Sequence, residues 1–211
     1  MKPSSRELSL LIHEMIQTSL LAQAMRVGDQ WEPRVRGLLV NAADALWHQL
    51  RPAVERAASS AAEPERLAEL KGMASRLGAE VADKQVERAA KLLEDMVWRE
   101  LQETLEVLTI NGLAREIPSL NLRETVGPEL AARLAGGRAL SHAVRTSVGE
   151  LNHGVAALLA GFSGPGADLA SLPERFESQV GQWRSRLATI ANTVTHAVFN
   201  RVKKAATESL G

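Results

Sequence analysis

The chain contains no cysteine. Disulfides, thiolate metal sites and cysteine nucleophiles go with it, and the absence fits a reducing compartment. Tyrosine is also missing, and aromatic residues make up only 3% of the sequence. A single-strand binding platform needs aromatic rings in series, so that class is excluded. No sign of charge is in excess: 25 Lys and Arg balance 25 Asp and Glu. A protein that coats nucleic acid shows a basic excess, so any contact with DNA here has to be local. Long hydrophobic runs are lacking too. The longest uncharged apolar stretch lies near GVAALLAG, far below the roughly 20 residues needed to span a bilayer. The N-terminal run is interrupted by Glu7, His13 and Glu14, which makes it a poor signal peptide. The expectation is a soluble protein made inside the cell, with no membrane span.

What remains is helical material. The 211 residues suit one domain of ordinary size, or a domain plus an extension, and 45% hydrophobic content is enough for a core. A first helix is expected from Ser4 or Ser5, with Leu8, Leu11, Met15 and Leu21 as its stripe, ending near Val27-Gly28. Asp29 can cap the next, where Trp31, Val35, Leu38, Ala42, Leu46, Leu50 and Val54 step by three or four. Pro33 sits harmlessly in its first turn, whereas Pro52 is expected to kink or break it near Leu50. AASSAAEPERL reads as a weak linker, after which Pro64 restarts a helix. From Glu65 to about Thr109 the pattern is helical, with Val86, Ala90, Leu93, Val97, Leu101 and Leu105 in the clearest stripe. Unbroken, such a helix is about 70 Å long, although Gly72 and Gly78 each weaken it by about 1 kcal/mol.

TINGLAREIPSLNLRETVGPEL breaks the period. Asn111-Gly112, Pro118 and Gly127-Pro128 punctuate it, and any strand is confined to a piece near 115–123. The division expected is an N-terminal helical region, 1–110, a linker, 111–127, and a C-terminal helical region, 128–211. Within the last, a short helix runs from Pro128 to Ala135 and is stopped by Gly136-Gly137. The next, Arg138 to Ala160, turns Leu140, Val144, Val148, Leu151, Val155 and Leu158 inward. GFSGPGADLASLP forms a loop with a capped turn at its end. A final helix from about Pro173 to Ser209 carries Phe176, Val180, Trp183, Leu187, Ile190, Val194, Val198 and Val202 on one face. The fold class is all-α, an extended multi-helix assembly with long amphipathic helices and little or no β.

The search for chemistry is mostly negative. Gly161 to Gly166 is glycine-rich, but no Lys-Ser or Lys-Thr follows and no strand precedes it, so it reads as a connection rather than a phosphate cradle. His142 and His153 share a helical face but stand about 16 Å apart, too far to bind one metal ion. His13, His48 and His196 have no ligand spacing. Glu94-Asp95 and Glu100 with Glu103 are paired acids on a charged helix, read as a solvated surface rather than an acid–base pair. The four tryptophans fall on or beside apolar stripes, where packing explains them. No catalytic, cofactor-binding or metal residues are assigned.

One stretch is unusual. RLATIANTVTHAVFNRVKKAA, residues 186–206, sets Thr189, Asn192, Thr193, Thr195 and Asn200 inside the last helix. Arg186 precedes Ile190-Ala191, Thr193 and Thr195 follow, and Asn200 comes after Phe199. Upstream, LNHGVAALLAGFSGPGADLASLPERF gives a helix, a Gly-containing loop and a short turn, in that order. This layout, over about residues 130–206, resembles the motif helix of the Mu-type phage head morphogenesis, or minor head protein, family. The family's arginine after the Ile-Ala pair is Asn192 here, and its acidic or amide position is Val194.

The resemblance implies a structural minor head protein that associates with the portal or inner capsid. Such a protein aids head assembly or DNA packaging and delivery, is present in several copies, and resides in the virion after assembly in the host cytoplasm. Portal and capsid proteins are the implied partners. Arg186, Ile190, Ala191, Asn192, Thr193, Thr195 and Asn200 are the interaction candidates. Arg201, Lys203 and Lys204 are candidates for local nucleic-acid contact, although cations near a helix C-terminus also stabilise its dipole. From the residues alone, Thr and Asn in a helix are tolerated when they bond to backbone or to another element, so the hydroxyl-rich face reads as a docking surface. The alternative is a cellular helical adaptor with no virion role, and an enzyme is a third, weaker reading.

Overall fold

A computed structural model describes residues 14, 18, 22, 23, 25–59, 64–110, 136–164 and 166–208, with side chains beyond residue 100 in the second helix and beyond 201 in the last, and that of 136, outside the described set. Four long helices carry the fold: α1 Glu32–Ala58, α2 Pro64–Ile110, α3 Gly136–Gly161 and α4 Leu172–Glu208. Among the described residues there is no strand. A π turn, Val27–Trp31, leads into α1, and a single 3₁₀ turn, Leu169–Ser171, leads into α4.

Each helix packs on the next, and α4 closes the ring against α1. The named pairs show alternating directions. Glu100, late in α2, meets Trp31 at the start of α1. Gly78, in the middle of α2, lies against Leu46 of α1 and Leu151 of α3. Arg184 of α4 pairs with Asp44 of α1. The result is an up-down-up-down four-helix bundle, with α2 and α4 also in contact across one diagonal.

The stripes that define the helices become one core. Val35, Leu39, Leu46, Leu50 and Val54 of α1 meet Leu70, Ala89, Leu93 and Met96 of α2. Leu140, Val144, Leu151 and Val155 of α3, with Phe176, Val180, Leu187 and Ala191 of α4, complete it. The side chains expected inward on α4 are buried, save for half-buried Ile190 and for Val202, which lies outside the described side chains. The N-terminal and C-terminal helical regions therefore share a single core rather than two. Their stripes are used up within it: among the described residues Met25 alone is a large, exposed apolar side chain, at 61%.

Several boundaries differ from the sequence expectation. Helix α1 runs through Pro52 without interruption. The ring removes one backbone donor, but Pro52 lies on the exposed side while Leu50 and Val54 on either side are fully buried. Burying two such side chains contributes about 1.5–3 kcal/mol each, which offsets the roughly 3 kcal/mol that a mid-helix proline costs. The first helix does not end at Val27-Gly28, and Asp29 caps nothing by its side chain. The backbone stays helical from Arg26 into α1 through the π turn, where the Glu32 N–H donates to the Val27 carbonyl. Gly136 and Gly137 are the first residues of α3, two positions before the Arg138 at which the sequence placed its start. A Cβ on Gly137 would lie 3.5 Å from the Ala90 Cβ of α2, an ordinary contact. Helix α2 passes through Gly72 and Gly78 unbroken. On α3, Leu159 is buried and Leu158 half-buried, where the sequence spacing had placed Leu158 inward. The turn before α4 has no side-chain cap, and Ser171 Oγ donates back to the Asp168 carbonyl at 2.9 Å. The stripe of the first expected helix (Leu8, Leu11, Met15 and Leu21), the 111–127 linker with its 115–123 piece, and the helix from Pro128 to Ala135 lie outside the described residues.

Candidate functional site on the outer face of the last helix

Two ion pairs set the rotation of α4 about its axis. Arg184 reaches Asp44 on α1 to one side, and Arg186 Nη2 reaches Glu150 Oε1 on α3, 3.4 Å away, to the other. Consecutive residues are about 100° apart, so Ser185, between the two arginines, points away from the bundle. Thr189, Asn192, Thr193 and Asn200 follow at helical spacing on the same side, and all four are exposed. His196 among them is half-buried. The hydroxyls do not compete for partners outside the helix. Thr189 Oγ1 donates to the Ser185 carbonyl at 3.1 Å, and Ser185 Oγ donates to the Gly181 carbonyl at 3.2 Å. That is the accommodation that makes such residues acceptable mid-helix.

From Leu187 to Asn200 this helix carries no Asp, Glu, Lys or Arg, an uncharged surface about 20 Å long. Arg184 and Arg186 border it at one end and exposed Arg201 at the other. Lys203 and Lys204 continue the helix, but their side chains lie outside the described set.

The remaining motif residues point elsewhere. Ala191 and Thr195 are completely buried and Ile190 packs against the core. The structure thus brings Asn192, Thr193 and Asn200, with Arg186 at the margin, onto one surface, and removes Ile190, Ala191 and Thr195 from it. Thr195 is the correction to a single hydroxyl-rich face. The antiparallel register set by Asp44 and Arg184 places the π turn beside the end of α4, and the two pack together. Thr195 and Phe199, on that flank, are 0% and 5% exposed. The Thr195 hydroxyl has no hydrogen-bond partner among the described residues.

The interior holds two polar arrangements that the sequence reading did not assign. Trp183 Nε1 donates to Ser147 Oγ at 3.1 Å, and Ser147 Oγ donates to the Val144 carbonyl at 2.7 Å, linking α4 to α3. At the other end of the bundle lies Glu100, only 2% exposed rather than part of a solvated acidic pair; Glu94 and Asp95 do face solvent. Its carboxylate accepts from Arg26 Nη2 at 2.9 Å and from Trp31 Nε1 at 3.1 Å. Its backbone carbonyl accepts from Gln23 Nε2 at 3.3 Å. A carboxylate so enclosed by donors holds elements together and is closed to a substrate. The signal for it was present: Glu100 stands seven residues after Leu93 and four after Met96, in step with the buried stripe.

Among the described residues, no group of three or more His, Cys, Asp or Glu side chains could hold a metal ion. His142 and His153 are exposed on α3. No described helix is long and apolar enough to cross a membrane. No family model, curated protein or solved structure matches this chain.

Proposed function

We propose that this chain is a structural protein that docks onto a protein partner through the outer face of α4, in the role of a phage minor head protein bound to the portal or inner capsid. The observation that carries the docking reading is the uncharged, exposed surface through Thr189, Asn192, Thr193 and Asn200. Charged side chains are costly to desolvate at an interface, and the central parts of interfaces are depleted of them. A face of small amide and hydroxyl groups lets a neighbouring helix come close. Its rim of arginines adds charge where screening by solvent keeps it inexpensive. The phage context comes from the resemblance of residues 130–206. A partner surface repeated around a portal ring would add avidity to a modest single contact.

The test is co-expression with the portal and major capsid proteins of a Mu-type phage, followed by size-exclusion chromatography. The expected result is a complex that survives purification. Asn192→Lys combined with Thr193→Lys should weaken it at least tenfold while the melting temperature of the free chain stays unchanged. Retained binding in the double variant would move the interface off α4. A second reading, a helical adaptor with no virion role, draws on the fact that the described apolar stripes are consumed inside the bundle. It is favoured if the chain remains alone beside both head proteins.

A further inference from the structure

The end of the bundle that carries Glu100 concentrates features that are unfavourable locally. A carboxylate is buried. The α-helical hydrogen-bond ladder slips to a π turn at Val27–Trp31. The carboxylate of Glu32, 7% exposed, has one oxygen with no hydrogen-bond partner, its nearest cation being Arg36 at 3.6 Å. The Thr195 hydroxyl is buried and unpaired. Buried polar groups without partners cost stability locally, and regions of low local stability open separately from the rest of a fold.

The π turn has a geometric consequence. In an α-helix, residues five apart lie about 140° from each other around the axis, so Arg26 and Trp31 would face different ways. A turn closed by a hydrogen bond from residue i+5 to residue i brings them nearly into line. Here the Glu32 N–H bonds the Val27 carbonyl, and Arg26 and Trp31 reach the same carboxylate, at 2.9 and 3.1 Å. Gln23, one turn before Arg26, reaches the carbonyl of the same residue. One glutamate thus gathers three side chains from the N-terminal segment.

We propose that Gln23 and the segment from Arg26 to Trp31 form a clasp, phased onto Glu100 by the π turn, that closes this end of the bundle and opens while the four-helix core stays folded. Opening uncovers the part of α4 on which the π turn packs. The proposal does not rest on the phage reading. Hydrogen exchange of the full chain, followed by mass spectrometry, tests it. In Glu100→Leu, and in Arg26→Ala, whose side chain is partly exposed and so tolerant of change, amides in 22–34 should exchange at least tenfold faster. Those in 140–155 should keep their wild-type rates. Deleting Asp29, which is exposed, restores four-residue spacing between the arginine and the tryptophan and should leave the 22–34 amides as slow as in the wild type. Unchanged exchange in both point variants would overturn the proposal. Equal acceleration in 22–34 and 140–155, or loss of the folded bundle in both variants, would overturn it as well, by making Glu100 part of the core.

Discussion

Helices α2 and α4 are the two longest in the molecule, touch each other across the bundle, and bury equally regular stripes. Their outer faces differ. On α2 the exposed positions run Glu65, Arg66, Glu69, Lys71, Arg76, Glu80, Asp83, Lys84, Glu87 and on to Arg99, with both signs interleaved. On α4 the charges stop after Arg186 and resume at Arg201. Mixed charge is the ordinary finish of a solvated helix. A helix that omits it for about four turns has an outer face suited to contact rather than to water. The same core packing therefore supports two kinds of surface, and what separates them lies entirely on the side that does not stabilise the bundle.

Substitutions can break or sharpen that contrast. The largest effect belongs to the inner side of α4. Val194→Asp puts a charge at a buried position and should destabilise by at least about 3 kcal/mol, lowering Tm by roughly 10 °C for a chain of this size. Ile190→Asp, half-buried, should cost clearly less, and equal melting curves for the two would misplace the inner face. Next is Trp183→Phe, which removes the donor to Ser147 and should cost about 0.5–1.5 kcal/mol in a denaturant titration. Gly78→Ala on α2 should go the other way. The new methyl would meet Leu151 Cδ2 at 3.5 Å and Leu46 Cδ2 at 3.9 Å, ordinary contacts, and helix propensity should raise stability by about 0.5–1 kcal/mol. Smallest are changes to the outer faces. Glu87→Ala on α2 and Asn192→Lys on α4 should each shift stability by less than about 0.5 kcal/mol. The two are distinguished by partner binding, which only the second should impair.

The helices were legible because each carries an apolar period of three to four residues long enough to override local detail. Val35, Ala42, Leu46, Leu50 and Val54, and Phe176 to Leu187 with Val194 and Val198, could be placed inward from spacing alone, whereas spacing named Leu38 where Leu39 is the buried residue. What was not legible depended on a neighbour. Pro52 breaks helices in general, but here two fully buried residues beside it hold the backbone in place. Gly136 and Gly137 read as punctuation by composition, yet they belong to the first turn of α3. The π turn at Val27–Trp31 has no sequence pattern of its own, and the residue that Arg26 and Trp31 at its two ends share, Glu100, lies about seventy residues away. That glutamate looked like surface because it follows other acids, and only the register of the buried stripe pointed inward. On the candidate face, the outward placement of Asn192, Thr193 and Asn200 was readable from the period. The full burial of Thr195 was not, because it depends on packing against other elements rather than on the period of its own helix.

The pairing of α1 with α4 also bears on how the polypeptide is made. Asp44 and its partner Arg184 are 140 residues apart. At ribosomal speeds of about 5–20 residues per second, on the order of ten seconds separate the emergence of the two. During that interval Leu46, Leu50 and their neighbours lack the helix that completes their shelter. The nascent chain is then a bundle with one greasy side still open, the stage at which a chaperone, or premature association with another copy, competes with correct closure.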